Sequence, residues 1–343
     1  MKRITIKDVA KDANVSIATV SKVINNKGYV SEATFDKVTQ SIEKLGYRVN
    51  ANARNLKSAT SNKVAVLISD ISNIYLMSIA KEVEKTISSL GYHMILMSHN
   101  DDEEIEYASL KILLEQRVAA LVIIPTGRNA ETIQSFIKSH IPVIALDREV
   151  EGLETDLIVD NNYYGSFRSV EYLYELGHKR IGIIYGHTNN SIGRERYEGA
   201  VEAIHHFGLV EEDLYIKKTN FDEQLSYRAT MELLSLPNAP SAIYSCNNTI
   251  TKGVLKAIWD LGLSIPEDIS LIAFGDSKQW ELVTPKLTLM TQTYNRIGIE
   301  TSILLKNRLT LKEDFPLKKT YLKPMLQLGN SCEKFNDEKE KRV

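Results

Sequence analysis

The chain has 343 residues, of which 43% are hydrophobic and 25% charged, as in globular proteins with two or three domains. Its apolar runs are too short to span a membrane, no apolar stretch follows the basic N-terminus, and two isolated cysteines exclude a disulfide scaffold. We therefore expect a cytoplasmic protein. Residues 1–60 carry 11 Lys and Arg against 5 Asp and Glu (+6), and the remainder carries 31 against 39 (−8). This asymmetry indicates an anionic partner for the N-terminal segment alone.

Three short helices are predicted in residues 1–48. Thr5 caps the first helix, with an acidic residue three positions later in a capping-box pattern. After a tight break, Ser16 caps the second helix, and Ser31 caps the third, which Gly46 ends. Short helices with a tight turn between the first two are typical of a helix-turn-helix domain, whose second helix enters the major groove of DNA.

The second helix separates a buried face from a face of small and polar residues. Its predicted inner face consists of Val20, Val23 and Ile24. The residues predicted to face outward are Ile17, Ala18, Ser21 and Lys22. A three-helix bundle without a role on DNA would explain the spacing. It would explain neither the positive charge nor the small outward residues.

The stretches TIKDVAKDANVSIATVSKVIN and LGYRVNANARNLK resemble the head of the LacI/GalR family of bacterial transcription regulators. The resemblance covers the whole N-terminal segment without a gap. It implies that Ile17, Ala18 and Lys22 read base edges. It also places further DNA contacts at Thr5, Ser16, Thr19, Ser21 and Asn25. Lys22 can donate to guanine O6 or N7, whereas Ile17 and Ala18 can make only apolar contacts, for example with a thymine methyl group.

Residues 49–61 are predicted to form a hinge helix or linker. By the resemblance, the segment 50–58 folds on the operator and inserts Leu56 into the central minor-groove step, which would kink the duplex. Arg54 and Lys57 flank this leucine and would neutralise phosphates. A serine is common in the family where this chain has Asn55, and a plain flexible linker is the alternative. The predicted hinge contacts are Asn50, Ala53, Arg54, Leu56 and Lys57.

Residues 62–330 alternate between apolar runs and helical stretches, in two successive series. Predicted strands are 64–68, 94–97, 119–124, 143–146, 181–185, 215–217, 242–245 and 271–274. Predicted helices are 79–90, 105–115, 165–176, 195–207 and 250–261. Such alternation predicts an α/β fold with two doubly wound parallel sheets and a ligand cleft at the carboxyl ends of their strands.

The motifs of this region resemble the ribose-type (type I) periplasmic binding-protein fold, which the same regulator family carries behind its head. They are IPVIALDR, DNNYYG, LGHKRIGIIYG, RERYEGA, SAIYSCNN and IPEDISLIAFGD, in this order. The resemblance implies an effector-binding and dimerisation domain made of two subdomains. Residues 331–343 are polar and charged, and we expect them to form a disordered tail.

Polar and aromatic residues at the predicted strand ends suggest a polar ligand, such as a sugar or a sugar phosphate. By the resemblance, Arg196 anchors the effector, and Asn247 and Gln292 supply amides that bridge hydroxyl groups. Asp147 and Arg148 could instead make structural pairs, as could Arg196, and Phe221 could be core packing. The predicted effector-binding residues are Ser69, Asn73, Tyr75, Asp147, Arg148, Arg196, Phe221, Asn247, Asp276 and Gln292.

One position departs from the family pattern. Relatives commonly read Phe-Asp-Asp after the strand at 271–274, and the first aspartate binds sugar hydroxyls. This chain has Gly275 there, followed by Asp276. The usual sugar geometry therefore cannot be transferred intact. A bulkier or less polar ligand, or a partner protein, remains an alternative.

No catalytic, metal-binding or cofactor-binding motif is present in the sequence: it has no phosphate loop, no HExxH, no CxxC and no GxSxG. We therefore predict a regulator and not an enzyme: a homodimeric repressor of a carbohydrate-utilisation operon that binds a pseudo-palindromic operator on double-stranded DNA. The alternative is a cytoplasmic small-molecule-binding module whose basic head docks on a protein.

Overall fold

A computed structural model describes residues 4–25, 28–47, 61–209, 215–275, 277–292, 294–311 and 316–336. The chain divides into two compact units, residues 1–61 and residues 62–343, which we call the head and the body. The predicted hinge contacts, Asn50 to Lys57, and Asp276 lie outside the described residues. No helix in the described ranges is long and apolar enough to cross a membrane.

The head contains α1 (Ile6–Asp12), α2 (Ile17–Asn25) and α3 (Glu32–Leu45). Its core is built on Val9, Val20 and Val38, one from each helix and each fully buried. Asp12 on α1 accepts hydrogen bonds from Ser41 Oγ (2.5 Å) and Lys44 Nζ (2.8 Å), which tie α1 to α3. The hydrogen bond from Lys44, assisted by that from Ser41, lowers the pKa of Asp12.

The local signals that define these helices operate as the sequence predicts, except that Ser31 precedes α3 without capping a backbone N–H, because its Oγ hydrogen-bonds to Thr34 Oγ1 (2.8 Å). Thr5 N and Thr5 Oγ1 both donate to Asp8 Oδ2 (2.8 and 2.7 Å), which fixes the start of α1. Asn14, with φ +55°, makes the tight turn, and Gly46, with φ +60°, ends α3 in the left-handed conformation.

The body contains two six-stranded sheets. Sheet A consists of β1 (Lys63–Ile68), β2 (His93–Ser98), β3 (Ala120–Ile123), β4 (Val143–Leu146), β5 (Asp156–Asp160) and β11 (Lys319–Leu322). Its strand order is β11-β5-β4-β3-β1-β2, and every pairing is parallel. Its helices are α4 (Ile74–Ser89), α5 (Glu103–Glu115), α6 (Ala130–Lys138) and α11 (Tyr294–Thr310).

Sheet B repeats this architecture with one antiparallel edge strand. Its strands are β6 (Ile181–Tyr185), β7 (Ile216–Lys218), β8 (Ala242–Ser245), β9 (Ser270–Gly275), β10 (Thr288–Thr291) and β12 (Met325–Gln327), and its helices are α7 (Asn162–Glu175), α8 (Ser191–His206), α9 (Glu223–Leu234) and α10 (Asn248–Asp260). The order is β12-β10-β9-β8-β6-β7, and only the β10–β12 pair among these described strands is antiparallel. The predicted doubly wound α/β architecture is thus confirmed, and the described residues contain four strands that were not predicted: β5, β10, β11 and β12.

Three connections join the two halves of the body. The chain passes from β5 to α7 at Asn161, from β10 to α11 after Gln292, and from β11 to β12 at 323–324. The connections are linked to one another, because Asn161 N donates to Leu322 O (2.7 Å) and Thr291 Oγ1 donates to Met325 O (3.0 Å).

The chain segment 331–336 differs from the sequence expectation of a disordered tail. Ser331 is fully buried; its Oγ donates to Leu271 O (2.6 Å) and accepts from Thr288 N (2.7 Å). Glu333 N donates to Ser270 Oγ (3.1 Å), and Phe335 N donates to Leu176 O (2.8 Å). Short-range composition cannot reveal this docking, because the partners lie far away in sequence. Residues 337–343 lie outside the described residues.

Candidate DNA-reading helix and effector cleft

Helix α2 has one buried and one exposed face. Val20 is fully buried and Val23 nearly so, whereas Ile17 remains 45% exposed. Ala18 and Lys22 are also exposed, and Ser21 is half-buried. An isoleucine with this exposure contributes little to the core of the head. The exposed face therefore offers an apolar group and a cation side by side, which is the chemistry required for contacts with a thymine methyl group and a guanine edge.

Two of the predicted phosphate contacts also define the start of α2. Ser16 Oγ accepts from Thr19 N (3.1 Å) and shares a hydrogen bond with Thr19 Oγ1 (2.9 Å). At the start of α1 the direction is reversed, because Thr5 N and Oγ1 donate to the Asp8 carboxylate. These hydroxyl groups are exposed or half-exposed, so capping does not prevent an additional bond to phosphate. Asn25 ends α2, and the position of its side chain lies outside what the structure describes.

In the sheet A half of the body, Tyr75 and Asp147 come together. Asn73 caps α4, its Oδ1 accepting from Tyr75 N (3.0 Å), and Tyr75 Oη lies 3.5 Å from Asp147 Oδ1. Asp147 follows β4 with a left-handed φ of +63° and is buried. Burial raises the pKa of Asp147, although the charges of Arg148 and Arg196 oppose this rise. Burial also raises the pKa of Tyr75 well above its usual value, and the charge of Asp147 adds to that effect.

Arg148 is committed to an ion pair. Its Nη1 contacts Asp101 Oδ1, and its Nη2 donates to Asp101 Oδ2 (3.1 Å). Burial alone would raise the pKa of Asp101, but the hydrogen bond and charge of Arg148 outweigh it and lower the pKa. Within the described residues, Arg148 Nε is buried without a partner. The arginine thus makes a structural pair, which the sequence left open, and its Nε–H is one of the donors that remain for a ligand.

In the sheet B half, Arg196 is held on three sides. Its Nε donates to Asn162 Oδ1 (2.8 Å), and its Nη1 donates to Cys246 O (2.7 Å). Its guanidinium carbon lies 3.8 Å from the centroid of the Phe274 ring, a cation–π contact. Arg196 therefore lies across the carboxyl ends of β8 and β9, where a ligand of a doubly wound fold is expected.

Phe221 and Asn247 stand at neighbouring strand ends of sheet B. Phe221 follows β7 with φ +60°, is half-buried, and meets the ring of His187 edge-on at 4.9 Å. Its ring lies so close to Gly186 that a Cβ there would be 2.3 Å away. Asn247 caps α10, with Oδ1 accepting from Ile250 N (2.8 Å). The amide oxygen of Asn247 is thus already used, which leaves its Nδ2 as the group for a ligand.

For the remaining predicted effector-binding residues the structure gives mainly a position and an exposure. Ser69 follows β1 and is buried, Asn73 is exposed, and Gln292 is half-buried in the second connection. Four residues that the sequence reading missed belong to the same strand ends: Asp101, His187, Asn248 and Trp280. The polar run after the second predicted strand could have indicated Asp101. No local signal indicates Trp280.

Comparisons with known proteins agree with this geometry. Residues 5–50 match the family described as bacterial regulatory proteins of the lacI family. Residues 61–318 match the family of periplasmic binding proteins and sugar binding domains of the LacI family. The HTH-type transcriptional repressor PurR of Actinobacillus pleuropneumoniae serotype 3 is 31% identical over 333 residues, which cover 97% of this chain and 99% of the relative.

Two solved structures are similar in fold. A lac repressor dimer bound to operator and the anti-inducer ONPF has a TM-score of 0.77 at 23% identity, covering 97% of this chain and 100% of the neighbour. The transcriptional regulator CelR in complex with cellobiose has a TM-score of 0.70 at 24% identity, covering 96% and 100%. Relatives and neighbours alike are regulators and not enzymes. The chain therefore belongs to the LacI family of bacterial regulatory proteins and is a DNA-binding transcriptional repressor with a ligand-binding body.

Proposed function

We propose that the protein is a cytoplasmic homodimer that represses a carbohydrate-utilisation operon, with a sugar or sugar phosphate in the cleft of the body controlling operator affinity. Each head reads one half-site of a pseudo-palindromic operator, because a twofold dimer presents two identical heads. The observation that carries the proposal is the exposed face of α2, where Ile17, Ala18 and Lys22 lie opposite the buried Val20.

The effector is proposed to bind at the carboxyl ends of the strands, between Tyr75 and Asp147 on one side and Arg196 and Phe221 on the other. Polar groups that are buried and already hydrogen-bonded can orient hydroxyl groups, and aromatic rings can cover an apolar sugar face. Ser69, Asn73, Arg148, Asn247, Asp276 and Gln292 complete the proposed contacts. Cellobiose, the ligand of the CelR neighbour, supports a carbohydrate here.

A flat heteroaromatic base, such as a purine, is the second candidate effector. Phe221 and Tyr75 provide aromatic rings at two sides of the cleft, and Gly275 provides no carboxylate for sugar hydroxyl groups. The two classes separate in a thermal-shift panel of ribose, cellobiose, glucose 6-phosphate and hypoxanthine. A ligand selective for the native state raises the Tm. A response to hypoxanthine alone would replace the carbohydrate assignment.

DNA binding is tested by a gel shift with promoter DNA upstream of the chain's own gene, at fixed salt. We expect a specific complex, and no complex would favour the alternative in which the basic head docks on a protein. Ligand and operator must influence each other reciprocally, because coupling between two binding sites is symmetric. The effector that alters operator affinity should therefore bind with altered affinity to the operator complex.

The hinge is tested by Leu56→Ala. We propose that Leu56 is inserted at the centre of the operator, flanked by Arg54 and Lys57, with Asn50 and Ala53 on the same segment. The substitution should weaken operator binding by about tenfold or more and leave nonspecific binding nearly unchanged, because only operator DNA is kinked. Equal loss on both DNAs would contradict the insertion.

A further inference from the structure

The carboxyl end of β9 has a glycine whose missing side chain is replaced by a neighbour. A Cβ on Gly275 would lie 1.9 Å from Asn248 Oδ1, 2.7 Å from Asn248 Cγ and 3.3 Å from Asn248 Nδ2. All three atoms belong to the carboxamide of one residue. Gly275 does not have a left-handed φ, so its backbone does not require glycine. The Asn248 carboxamide instead occupies the space that a side chain at position 275 would take.

The orientation of that carboxamide is set by Trp280. The indole Nε1 of Trp280 lies 3.0 Å from Asn248 Oδ1. An indole N–H can only donate, so the amide atom facing it must be the oxygen. The Nδ2 group, with two N–H donors, is therefore directed away from the indole. Trp280 is itself buried, with 6% of its surface exposed, so the indole is held in place and can fix the orientation of the amide.

Asn248 lies at the strand ends where the effector is proposed to bind. It follows β8, and Gly275 ends β9, the strand paired with β8. Arg196 spans the same two strand ends through Cys246 O and the Phe274 ring. Asn248 is half-buried, so part of its surface is open. A ligand held near Arg196 would therefore find the Asn248 carboxamide at the end of β9, where position 275 itself carries no carboxylate.

We propose that Asn248, positioned by Trp280 in the space left by Gly275, determines effector specificity by presenting an N–H donor at this end of the cleft. The ligand group at this position is then a hydrogen-bond acceptor, such as a carbonyl, carboxylate or phosphoryl oxygen or a ring nitrogen. This inference rests on the proposed function, because it assumes that the effector binds at these strand ends.

Occupancy of the space is tested in the full-length protein by a double-mutant cycle of Gly275→Ala and Asn248→Ala. Gly275→Ala should lower the Tm by roughly 3–8 °C, because the added methyl group overpacks a filled site. In the Asn248→Ala background most of that loss should disappear, since alanine lacks all three clashing atoms. Thr249→Ala, the next residue on α10, is the matched control and should not rescue. Additive effects would overturn the proposal.

Orientation of the amide is tested by the ¹⁵N indole resonances, which also serves if Gly275→Ala fails to fold. The chain has two tryptophans, Trp259 and Trp280, and Trp259 is 56% exposed. Asn248→Ala should shift the Trp280 indole signal and leave the Trp259 signal unchanged. Asn248→Asp retains an oxygen acceptor and should keep the Trp280 indole proton hydrogen-bonded. An unmoved Trp280 signal in Asn248→Ala would overturn the proposal.

Specificity is tested with D-ribose as a probe, comparing wild type with the isosteric Asn248→Asp. The aspartate replaces the N–H donor with an acceptor for hydroxyl groups, so ribose affinity should rise by about tenfold or more. Equal ribose affinity in the two proteins, or no binding to either, would remove Asn248 from specificity. Operator binding of the same proteins distinguishes this failure from failure of the proposed function, because the gel shift does not involve Asn248.

Discussion

The head and the body present their functional side chains in opposite ways. On α2 the candidate contacts Ile17 and Lys22 are exposed, because their partner is a second macromolecule. In the body several candidate contacts are buried and already paired, as with Asp147 beside Tyr75 and Arg196 between Asn162 and Cys246. The head therefore separates its core residues from its candidate DNA contacts along one helix, whereas in the body candidate contacts such as Arg196 also hold the fold together. Substitutions in the head should consequently change either stability or DNA binding, whereas substitutions in the body should change stability and effector binding together.

The largest combined effect is expected from Arg196→Ala. It removes two hydrogen bonds and a cation–π contact and leaves Asn162 Oδ1 and Cys246 O without their donor. We expect the body to lose about 3 kcal/mol of unfolding free energy and the effector response to vanish, while DNA binding persists. Chemical unfolding measures the stability, and a ligand-dependent gel shift measures the effector response. Arg196→Lys is the charge-retaining control. A full effector response in Arg196→Ala would remove this arginine from the site.

Two substitutions on α2 test whether stability and operator binding can be changed independently in the head. Val20→Ala should reduce the unfolding free energy of the head by about 2 kcal/mol, because it leaves a cavity in the core. Lys22→Ala should change that free energy by less than about 0.5 kcal/mol, yet weaken operator binding by about 1–3 kcal/mol. Urea unfolding and operator titration at one salt concentration provide the comparison. A lower unfolding free energy in Lys22→Ala would show that the exposed face of α2 also contributes to the stability of the head.

Ser331→Ala examines a buried polar group of the body that has no role at the cleft. The substitution leaves Thr288 N without its partner and removes one of two donors to Leu271 O, which keeps Cys332 Sγ (3.2 Å), at a cost of about 1–2 kcal/mol. Operator binding and effector response at 25 °C should remain unchanged. An unaltered Tm would mean that the segment 331–336 contributes nothing to the body.

The smallest effect concerns His187 and pH. Burial lowers the pKa of His187, and the charge of Arg148 adds to this. The unfolded chain then takes up a proton more readily than the folded one, so stability is lost as pH falls below the unfolded pKa. His187→Asn should reduce the decline of Tm between pH 7 and pH 5, with the exposed His93→Asn as control. Burial lowers the pKa of His178 too, so part of the decline should persist.

The sequence identifies those parts of the fold that local patterns determine. The strands Val143–Leu146, Ile181–Tyr185 and Ala242–Ser245 coincide with the predictions, because a parallel sheet covered on both faces requires continuous apolar runs. Helices α4 and α8 begin earlier than predicted, at asparagine caps that the apolar periodicity does not include. Strand β11 was missed because it is short and its membership in sheet A depends on a partner far away in sequence.

The candidate cleft was predicted residue by residue, but the bonds that each residue makes were not. Strand ends and motifs indicate which side chains gather there. They do not indicate that Arg148 pairs with Asp101 or that Asn247 caps α10, because these partners depend on loop conformations. Gly275 was recognised as a departure, yet only the structure assigns its space to Asn248. The cleft assignments themselves remain predictions.

The three linked connections between the sheets have a consequence for how the body can move. Neither lobe is a continuous stretch of polypeptide, since β11 joins sheet A after the first five strands of sheet B, and β12 then completes sheet B. We expect any opening or closing of the body to pivot at these three adjoining connections. Asn162, the first residue of α7, lies beside these connections, and its Oδ1 accepts a hydrogen bond from Arg196 Nε (2.8 Å). An effector bound at this arginine is therefore expected to act beside the connections, where a small displacement would produce a large movement at the outer edges of the two halves.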